Sequence, residues 1–385
     1  VEKAEESSVD DTVAATCSGM PEAEQIEGLR RLAEPILAWY EQNARILPWR
    51  EQPDPYRVWI SEIMLQQTRI EAVLPYFYRF VEVLPDIPAL AKAEEATLLK
   101  LWEGLGYYNR VRNLQKAARI IVERHGGRLP SSYQHLLKLP GIGEYTAGAI
   151  ASIAYHIPVP AVDGNALRVL ARLLACRADI AQPQARKTLR AAAQAMLPRE
   201  RAGDFNQAMM DLGSLVCLPG PAPRCDLCPV RTGCAAYRQG VADKLPVKSP
   251  QKPRAMQQKT VLVLASQGKT LLRRRPAEGL LAGLWEFPNL DGWLTEKEVA
   301  ALLDEWGICP ASVRRLADAR HIFTHMEWHM HGYLVYAADA LPVPNCVWVD
   351  GEAVRREYAL PSAYSAFTRH LPRWLAETKN NLEIH

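Results

Sequence analysis

The chain has 385 residues, 48% of them hydrophobic and 23% charged, which suits a soluble globular protein with room for two or three cored domains. No apolar run approaches the roughly 18–20 residues of a membrane span, and the start lacks the basic and apolar stretches of a secretion signal, so a membrane or exported class is not expected. The net charge of +3 conceals an asymmetry: residues 1–28 hold eight acids against one base, leaving a basic body that fits a polyanion partner as well as many cytosolic enzymes.

In chain order, residues 1–28 read as an acidic disordered tail, since they lack an apolar period. A helix is expected through Leu29, Leu32, Ile36 and Tyr40, followed by a turn at Leu47-Pro48-Trp49-Arg50. A second helical pattern runs from Pro55 to Ile70, with Glu62 on its partly buried flank, and Pro75 is expected to interrupt it. Helical patterns continue to about residue 240, punctuated by glycines and prolines, with no sustained strand alternation. Residues 246–258 contain a proline- and base-rich stretch without an apolar face and read as a linker. Beyond it, Thr260–Ala265, Leu271-Leu272, His331–Tyr336 and Val347–Val349 read as strands and Glu296–Trp306 as a helix. The expected architecture is therefore an all-α region followed by a separate α+β domain.

Three constellations carry chemistry. Around Leu139, a helix gives way to Pro140-Gly141-Ile142-Gly143 and then to a second helix from about Tyr145. Glycines at Gly141 and Gly143 would let backbone N–H groups face an anion beside a helix N-terminus, which makes a phosphate clamp. Pro158 and Pro160 stop that helix, and Asp163 stands at the next N-cap position, where the helix dipole is expected to hold it ionised. Glu62, flanked by Trp59, Ile63 and Met64, is expected to be desolvated and its pKa raised. Two carboxyls pushed apart in this way suit glycosidic bond cleavage. Finally, Cys217, Cys225, Cys228 and Cys234 fall within 18 residues, a ligand cluster for which zinc is the default ion; the other four cysteines are scattered. Cysteine usage of this kind points to a reducing, intracellular setting, the cytoplasm or nucleoid for a bacterial source.

The Pro-Gly-Ile-Gly hairpin with Val-Pro-Ala-Val-Asp-Gly-Asn downstream resembles the helix-hairpin-helix/GPD superfamily of base-excision DNA glycosylases. Residues 58–68, VWISEIMLQQT, with GLGYY at 104–108, LPWR at 47–50 and DGN at 163–165, closely resemble the adenine DNA glycosylases (MutY type) over residues 29–245. The resemblance implies a 4Fe–4S cluster on the four cysteines, whose first interval is one residue longer here than is usual for the family. It implies a monomeric, monofunctional hydrolase acting on duplex DNA that contains adenine opposite 8-oxoguanine or guanine. Glu62 would protonate adenine N7 and Asp163 would stabilise the sugar cation or bond to it. Asn165 would orient Asp163 or the water. Tyr145 replaces the Lys of bifunctional relatives, so no Schiff base would form there.

For DNA contacts, the resemblance puts Arg45, Leu47 and Trp49 around the adenine, Gln67 and Tyr107 as wedges into the duplex, and Thr68 and Leu105 beside the 8-oxoguanine. Gln207 stands where some members carry Glu. LAGLWEFP at 281–288 and ALLDEWGI at 301–308 make residues 259–385 similar to a MutT-like (Nudix) domain. There, Ala300 and Ala301 replace the Arg-Glu of the metal-binding helix, so nucleotide hydrolysis is not expected, and Phe323, Thr324 and His325 match a loop that reads 8-oxoguanine. The histidines around 321–331 are split by a loop and are not expected to bind metal. Two other readings stand beside this one: a pyrimidine-lesion glycosylase/AP lyase of the same superfamily, against which Tyr145 argues, and a non-catalytic DNA-binding iron–sulfur protein, against which Glu62 and Asp163 argue.

Overall fold

The computed structural model describes residues 23–250 and 253–380. Its helices begin with α1 (Ala23–Arg30), α2 (Ala33–Asn43), α3 (Pro48–Glu51), α4 (Pro55–Leu65), α5 (Ile70–Val83), α6 (Ile87–Lys92) and α7 (Glu95–Leu101). There follow α8 (Asn109–His125), α9 (Tyr133–Leu136), α10 (Glu144–Ala149), α11 (Gly164–Leu173), α12 (Pro183–Met196), α13 (Ala202–Leu215) and α14 (Ala235–Arg238). The strands are β1 (Ala255–Ser266), β2 (Lys269–Arg274), β3 (Trp285–Glu286), β4 (Asn289–Asp291), β5 (Pro310–Arg315), β6 (Ala319–Ile322), β7 (Met326–Ala337) and β8 (Cys346–Asp350). Helix α15 (Glu296–Glu305) precedes β5, and α16 (Gly351–Arg356), α17 (Ser365–Thr368) and α18 (Leu371–Asn380) follow β8. No described helix is long and apolar enough to cross a membrane.

Helices then strands is the order expected, with three local corrections. Helix α1 starts at Ala23, inside the segment read as a disordered tail; residues 1–22 lie outside the described residues. The helical pattern expected over 55–70 breaks after Leu65 and is not interrupted by Pro75, which lies inside α5 at the cost of one N–H donor to the helix ladder. Strand β1 begins at Ala255, within the expected linker.

Two compact units divide the structure. One draws on Val1–Phe77, Leu84–Ala91 and Lys116–Pro250; the other on Tyr78–Val83, Lys92–Gln115 and Gln251–His385. The first is helical. Its core joins Ile36 and Leu37 of α2, Val169, Leu170 and Leu173 of α11, Leu189 and Ala192 of α12, and Phe205 and Leu212 of α13. The three- and four-residue spacing on α11 makes one apolar stripe facing that core. Gly213 lets α13 close on the start of α11: a Cβ there would lie 2.6 Å from the Cβ of Asn165.

The second unit holds a mixed sheet of order β3-β2-β1-β7-β5, with β4 paired to β1, β6 to β7 and β8 to β2. Strand β1 lies parallel to β7, from Ala255 opposite Met326 to Ala265 opposite Tyr336. Its alternate residues serve two cores. Val261 and Val263 join Trp328, Phe367 and Trp374, whereas Leu262 and Leu264 join Val299 and Leu303 of α15. Burial on both faces explains the uninterrupted apolar run of β1. The α7 region is bonded into the same unit: Lys100 Nζ donates to the carbonyls of Val354 and Tyr358 at 3.0 and 3.2 Å, and Leu360 N donates to Glu103 at 2.7 Å.

Candidate active site

Helix α4 delivers Glu62. Its start is fixed by Asp54, whose side chain accepts from the N–H groups of Tyr56 and Arg57, with Pro55 in the first helical position. Every residue from Val58 to Met64 is buried, so Glu62 is carried into the interior at 4% exposure. There its carboxylate oxygen Oε2 accepts a hydrogen bond from the Tyr145 hydroxyl of α10. Burial raises the Glu62 carboxyl to about 7; the Tyr145 bond and the Arg50 charge act against that rise, and Asp163 adds to it. Tyr145 is itself held well above the ordinary tyrosine range by burial and by the charge of Glu62, so it stays a donor. Its hydroxyl also lies 3.6 Å from the Met210 sulfur.

Asp163 is the N-cap of α11. Oδ1 accepts from Ala166 N at 2.7 Å and Oδ2 from Asn165 Nδ2 at 2.8 Å. Burial outweighs those bonds, so the net shift of this carboxyl is upward from the ordinary aspartate value and not downward as the helix terminus alone would give. Asn165 is fixed in turn by Arg168, whose Nη2 donates to its Oδ1 at 2.9 Å and to Gly213 O at 2.7 Å, while Nε donates to Cys217 O at 2.8 Å. A chain of hydrogen bonds thus runs from Asp163 to the cysteine loop. The next arginine along the helix, Arg172, is nearly fully buried and donates to Cys217 Sγ at 3.2 Å and to Leu218 O at 2.7 Å.

Asp211 of α13 has no exposed surface and accepts from two arginines. Arg50 reaches it as a fork, Nη1 to Oδ2 at 2.7 Å and Nη2 to Oδ1 at 3.0 Å, and Arg45 Nε reaches Oδ1 at 3.1 Å. Burial alone would raise the Asp211 carboxyl, but the two guanidinium groups leave it below the ordinary value. Sequence reasoning missed Arg50 and Asp211. The only signals were an unassigned arginine in the LPWR turn and an aspartate four residues after Gln207, on the same side of one helix. Leu47 and Trp49 are buried, Trp49 edge-on to Phe77 with ring centroids 5.0 Å apart, and Gln207 is buried too.

At the hairpin only one glycine is conformationally required. Gly141 has φ +77°, whereas Gly143 is N-cap of α10 at φ −90° and a Cβ there would meet nothing within 4 Å, so of the two glycines expected to free the turn's backbone only Gly141 is needed for its shape. Gln67, after α4, takes φ +59°, which costs strain in a residue with a side chain, and the Thr68 hydroxyl donates to Gln66 O at 3.3 Å. In the other unit, Leu105 is buried, while Tyr107 is 48% exposed at φ +48°. Arg110 clasps this loop: Nη2 donates to Leu105 O at 3.0 Å and to Gly106 O at 3.1 Å, and the guanidinium carbon lies 5.6 Å from the Tyr107 ring centroid. The Tyr107 hydroxyl is 3.0 Å from Thr324 Oγ1 in the same unit. Thr324 sits with Phe323 and His325 between β6 and β7, where Phe323 packs edge-on to His321 and Trp328.

The four cysteines Cys217, Cys225, Cys228 and Cys234 line one cavity of about 30 Å³ with Arg172, Arg224 and Arg231. Among the described residues, no three His, Cys, Asp or Glu side chains converge closely enough to hold a single metal ion. In the sheet unit, His329 pairs with Glu327 at 2.8 Å and His331 stacks on Trp293 at 4.2 Å.

This geometry supplies a near-neutral buried acid, a second carboxyl close enough to couple to it, and a hydroxyl but no amine between helices. It can protonate a leaving base and steady a developing cation. The described family HhH-GPD, superfamily base excision DNA repair protein, matches residues 60–195, and a NUDIX domain matches residues 260–370. The chain is 37% identical over 380 residues to the mouse protein named adenine DNA glycosylase, covering 82% of this chain and 73% of that one. To the protein of that name from Buchnera aphidicola of Schizaphis graminum it is 33% identical over 307 residues, covering 78% of this chain and 86% of the other. A solved thermostable thymine-DNA glycosylase matches with a TM-score of 0.50 and 27% identity, over 55% of this chain and 98% of its own.

Proposed function

The chain belongs to the adenine DNA glycosylases, of the helix-hairpin-helix superfamily, and from that premise we propose that it hydrolyses adenine paired with 8-oxoguanine or guanine in duplex DNA, with Glu62 and Asp163 carrying the reaction. The observation that carries the reading is Glu62 itself. A carboxyl near pH 7, buried and hydrogen-bonded, holds a proton at neutral pH and releases it to a base that arrives in its pocket. Protonation at adenine N7 turns the base into a leaving group. As the glycosidic bond breaks, its electron pair leaves with adenine, and the sugar becomes an oxocarbenium ion facing Asp163. Held by Ala166 N and Asn165, Asp163 is the anion that steadies this cation until water adds. Tyr145 brings a phenol where an amine would be needed for a Schiff base, so the reaction ends at hydrolysis.

Glu62→Gln tests this directly. Loss of the general acid should lower single-turnover excision by about 10²–10⁴ while binding to a matched duplex persists. Excision within a few-fold of the parent would sink the assignment.

The remaining site residues take their roles on the same reading. Arg45, Leu47 and Trp49 surround the flipped adenine, Gly141 and Gly143 hold a phosphate, Gln67 and Tyr107 enter the duplex, and Thr68 and Leu105 stand beside the opposing base. Phe323, Thr324 and His325 read 8-oxoguanine; the support is that Thr324 shares a hydrogen bond with the wedge residue Tyr107. Residues 29–245 would form the glycosylase domain and 259–385 the reader. The four cysteines would bind a 4Fe–4S cluster, since soft thiolates spread round one cavity suit a polynuclear group better than one ion. Bound there, the cluster would cross-link residues 217–234. A DNA substrate implies an intracellular place of action, and a monomer suffices for it.

A further inference from the structure

A general acid must keep its proton, yet Glu62 has a cation in electrostatic reach. Arg50, on α3, keeps 12% of its side chain exposed and favours the Glu62 carboxylate. The groups facing this pair come from five places. Tyr145 of α10 donates to Glu62, and Asp163 at the head of α11 opposes its ionisation. Tyr40 of α2 lies 5.6 Å beneath the Arg50 guanidinium, Arg45 follows α2, and Asp211 of α13 binds both arginines.

One buried carboxylate gripping Arg50 through both of its oxygens fixes that guanidinium in place and offsets part of its charge at close range. Buried ion pairs of this kind add little net stability over apolar packing, so stability alone is a weak reason for three buried or half-buried charges beside a reacting acid. We propose that Asp211 is a positioning residue for catalysis: by clamping Arg50 and offsetting part of its charge, it lets Glu62 stay protonated at the pH of excision. The proposal rests on Glu62 being the general acid.

The test is the pH–rate profile of single-turnover adenine excision from about pH 5.5 to 8.5, with Asp211→Asn and Arg50→Gln compared to the parent. Asp211→Asn keeps the size and removes the charge. The Arg50 field at Glu62 then grows, Glu62 ionises more easily, and the basic limb moves to lower pH. A fall of Glu62 from near 7 to near 6 would cost about tenfold in rate at pH 8 and about twofold at pH 6. Arg50→Gln removes the cation, so its basic limb moves to higher pH. Asp211→Glu, which restores the charge, should recover most of the parent profile. Rates lowered by one common factor at every pH, or limbs that move in the same direction in the first two variants, would overturn the proposal. If thermal melting shows that Asp211→Asn does not fold, the direction of the Arg50→Gln limb decides alone. Glu62→Gln, run in parallel, separates the two levels. A Glu62→Gln protein that keeps the parent profile removes the acid assignment itself, whereas an inactive Glu62→Gln with a flat Asp211→Asn ratio removes only the role of Asp211.

Discussion

Tyr145 donates its hydroxyl hydrogen to Glu62 Oε2, so the phenol on α10 stabilises the ionised form of the acid on α4. Two consequences oppose each other: the bond orients Glu62, and it lowers a pKa that burial raises. Tyr145→Phe keeps the ring and deletes the donor. Glu62 should then hold its proton to higher pH, and the basic limb of the excision profile should move upward, with the rate at pH 6 within about tenfold of the parent. A basic limb that moves downward would contradict the geometry.

Glu62 also links stability to pH. Its folded pKa, about 7, lies above the ordinary carboxyl value of 4.5, so the folded state binds the proton more tightly than the unfolded chain. That contribution is fully present below about pH 4.5 and is lost as pH rises through about 7, where the buried group must ionise. For a buried carboxyl the difference is about 3 kcal/mol. Glu62→Gln removes the penalty, so its melting temperature relative to the parent should rise between pH 5 and pH 8. Equal differences at both pH values would show that burial does not perturb this carboxyl.

Much of this site was legible because its parts are local. Glu62 sits among apolar neighbours within one helix turn, and Asp163 follows two prolines at a helix start; short-range pattern marks both. The Arg50–Asp211 pair spans 161 residues and joins two helices, so no periodicity announces it. The direction of the Asp163 shift was not legible, because a dipole can be read from a cap position, whereas the degree of burial depends on what packs above it. Gly143 needed a dihedral angle, which composition does not supply. The first residues of β1, Ala255–Gln258, are exposed and read Ala-Met-Gln-Gln with no alternation, so the strand has no sustained apolar signal before Thr260.

The cysteine loop makes a prediction about composition. The two short 3-10 helices of this loop, Cys225–Leu227 and Arg231–Gly233, bury no side chain of their own, and, the cysteines aside, Val230 between them is its one apolar residue in the core. Cys228→Ser should lower iron content below one cluster per chain, reduce absorbance near 400 nm and lower the melting temperature. Parent protein purified without oxygen that carries stoichiometric zinc and no iron would overturn the cofactor assignment.

Arg110 governs the shape of the Tyr107 loop. One guanidinium nitrogen binds two successive carbonyls, Leu105 O and Gly106 O, and Trp102 Nε1 donates to Gly106 O at 3.0 Å. These bonds offset the strain of φ +48° at Tyr107. Arg110→Leu should leave the helices folded, because the rest of α8 is untouched, but free the loop. Binding to the adenine–8-oxoguanine duplex should weaken by about 1–3 kcal/mol, the range for a lost charge-assisted bond. Unchanged affinity in a fluorescence titration would show that the loop keeps its form without this clasp.

The last relationship joins Tyr107 to the loop of Phe323, Thr324 and His325. Tyr107 and Thr324 lie 217 positions apart, yet their hydroxyls are 3.0 Å from each other within one compact unit. Either oxygen can donate, so whichever hydroxyl gives its proton leaves the other free to donate to a base edge. A modified guanine beside Tyr107 would therefore meet an oriented pair of hydroxyls instead of two independent ones. Thr324→Ala removes one member and leaves Tyr107 to turn toward solvent; Tyr107→Phe removes the other while keeping the ring. Each should reduce the preference for adenine opposite 8-oxoguanine over adenine opposite guanine by about 1–3 kcal/mol. Combined, they should cost clearly less than the sum, because the second change deletes a hydroxyl whose partner has already gone. The measurement is the ratio of single-turnover excision rates on the two duplexes for the parent, both single variants and the double variant, at matched salt because phosphate contacts depend on ionic strength. Additive losses would mean that the two residues recognise the base separately. No loss in Thr324→Ala would take 8-oxoguanine reading away from this loop and leave it with Gln67, Thr68, Leu105 and the ring of Tyr107.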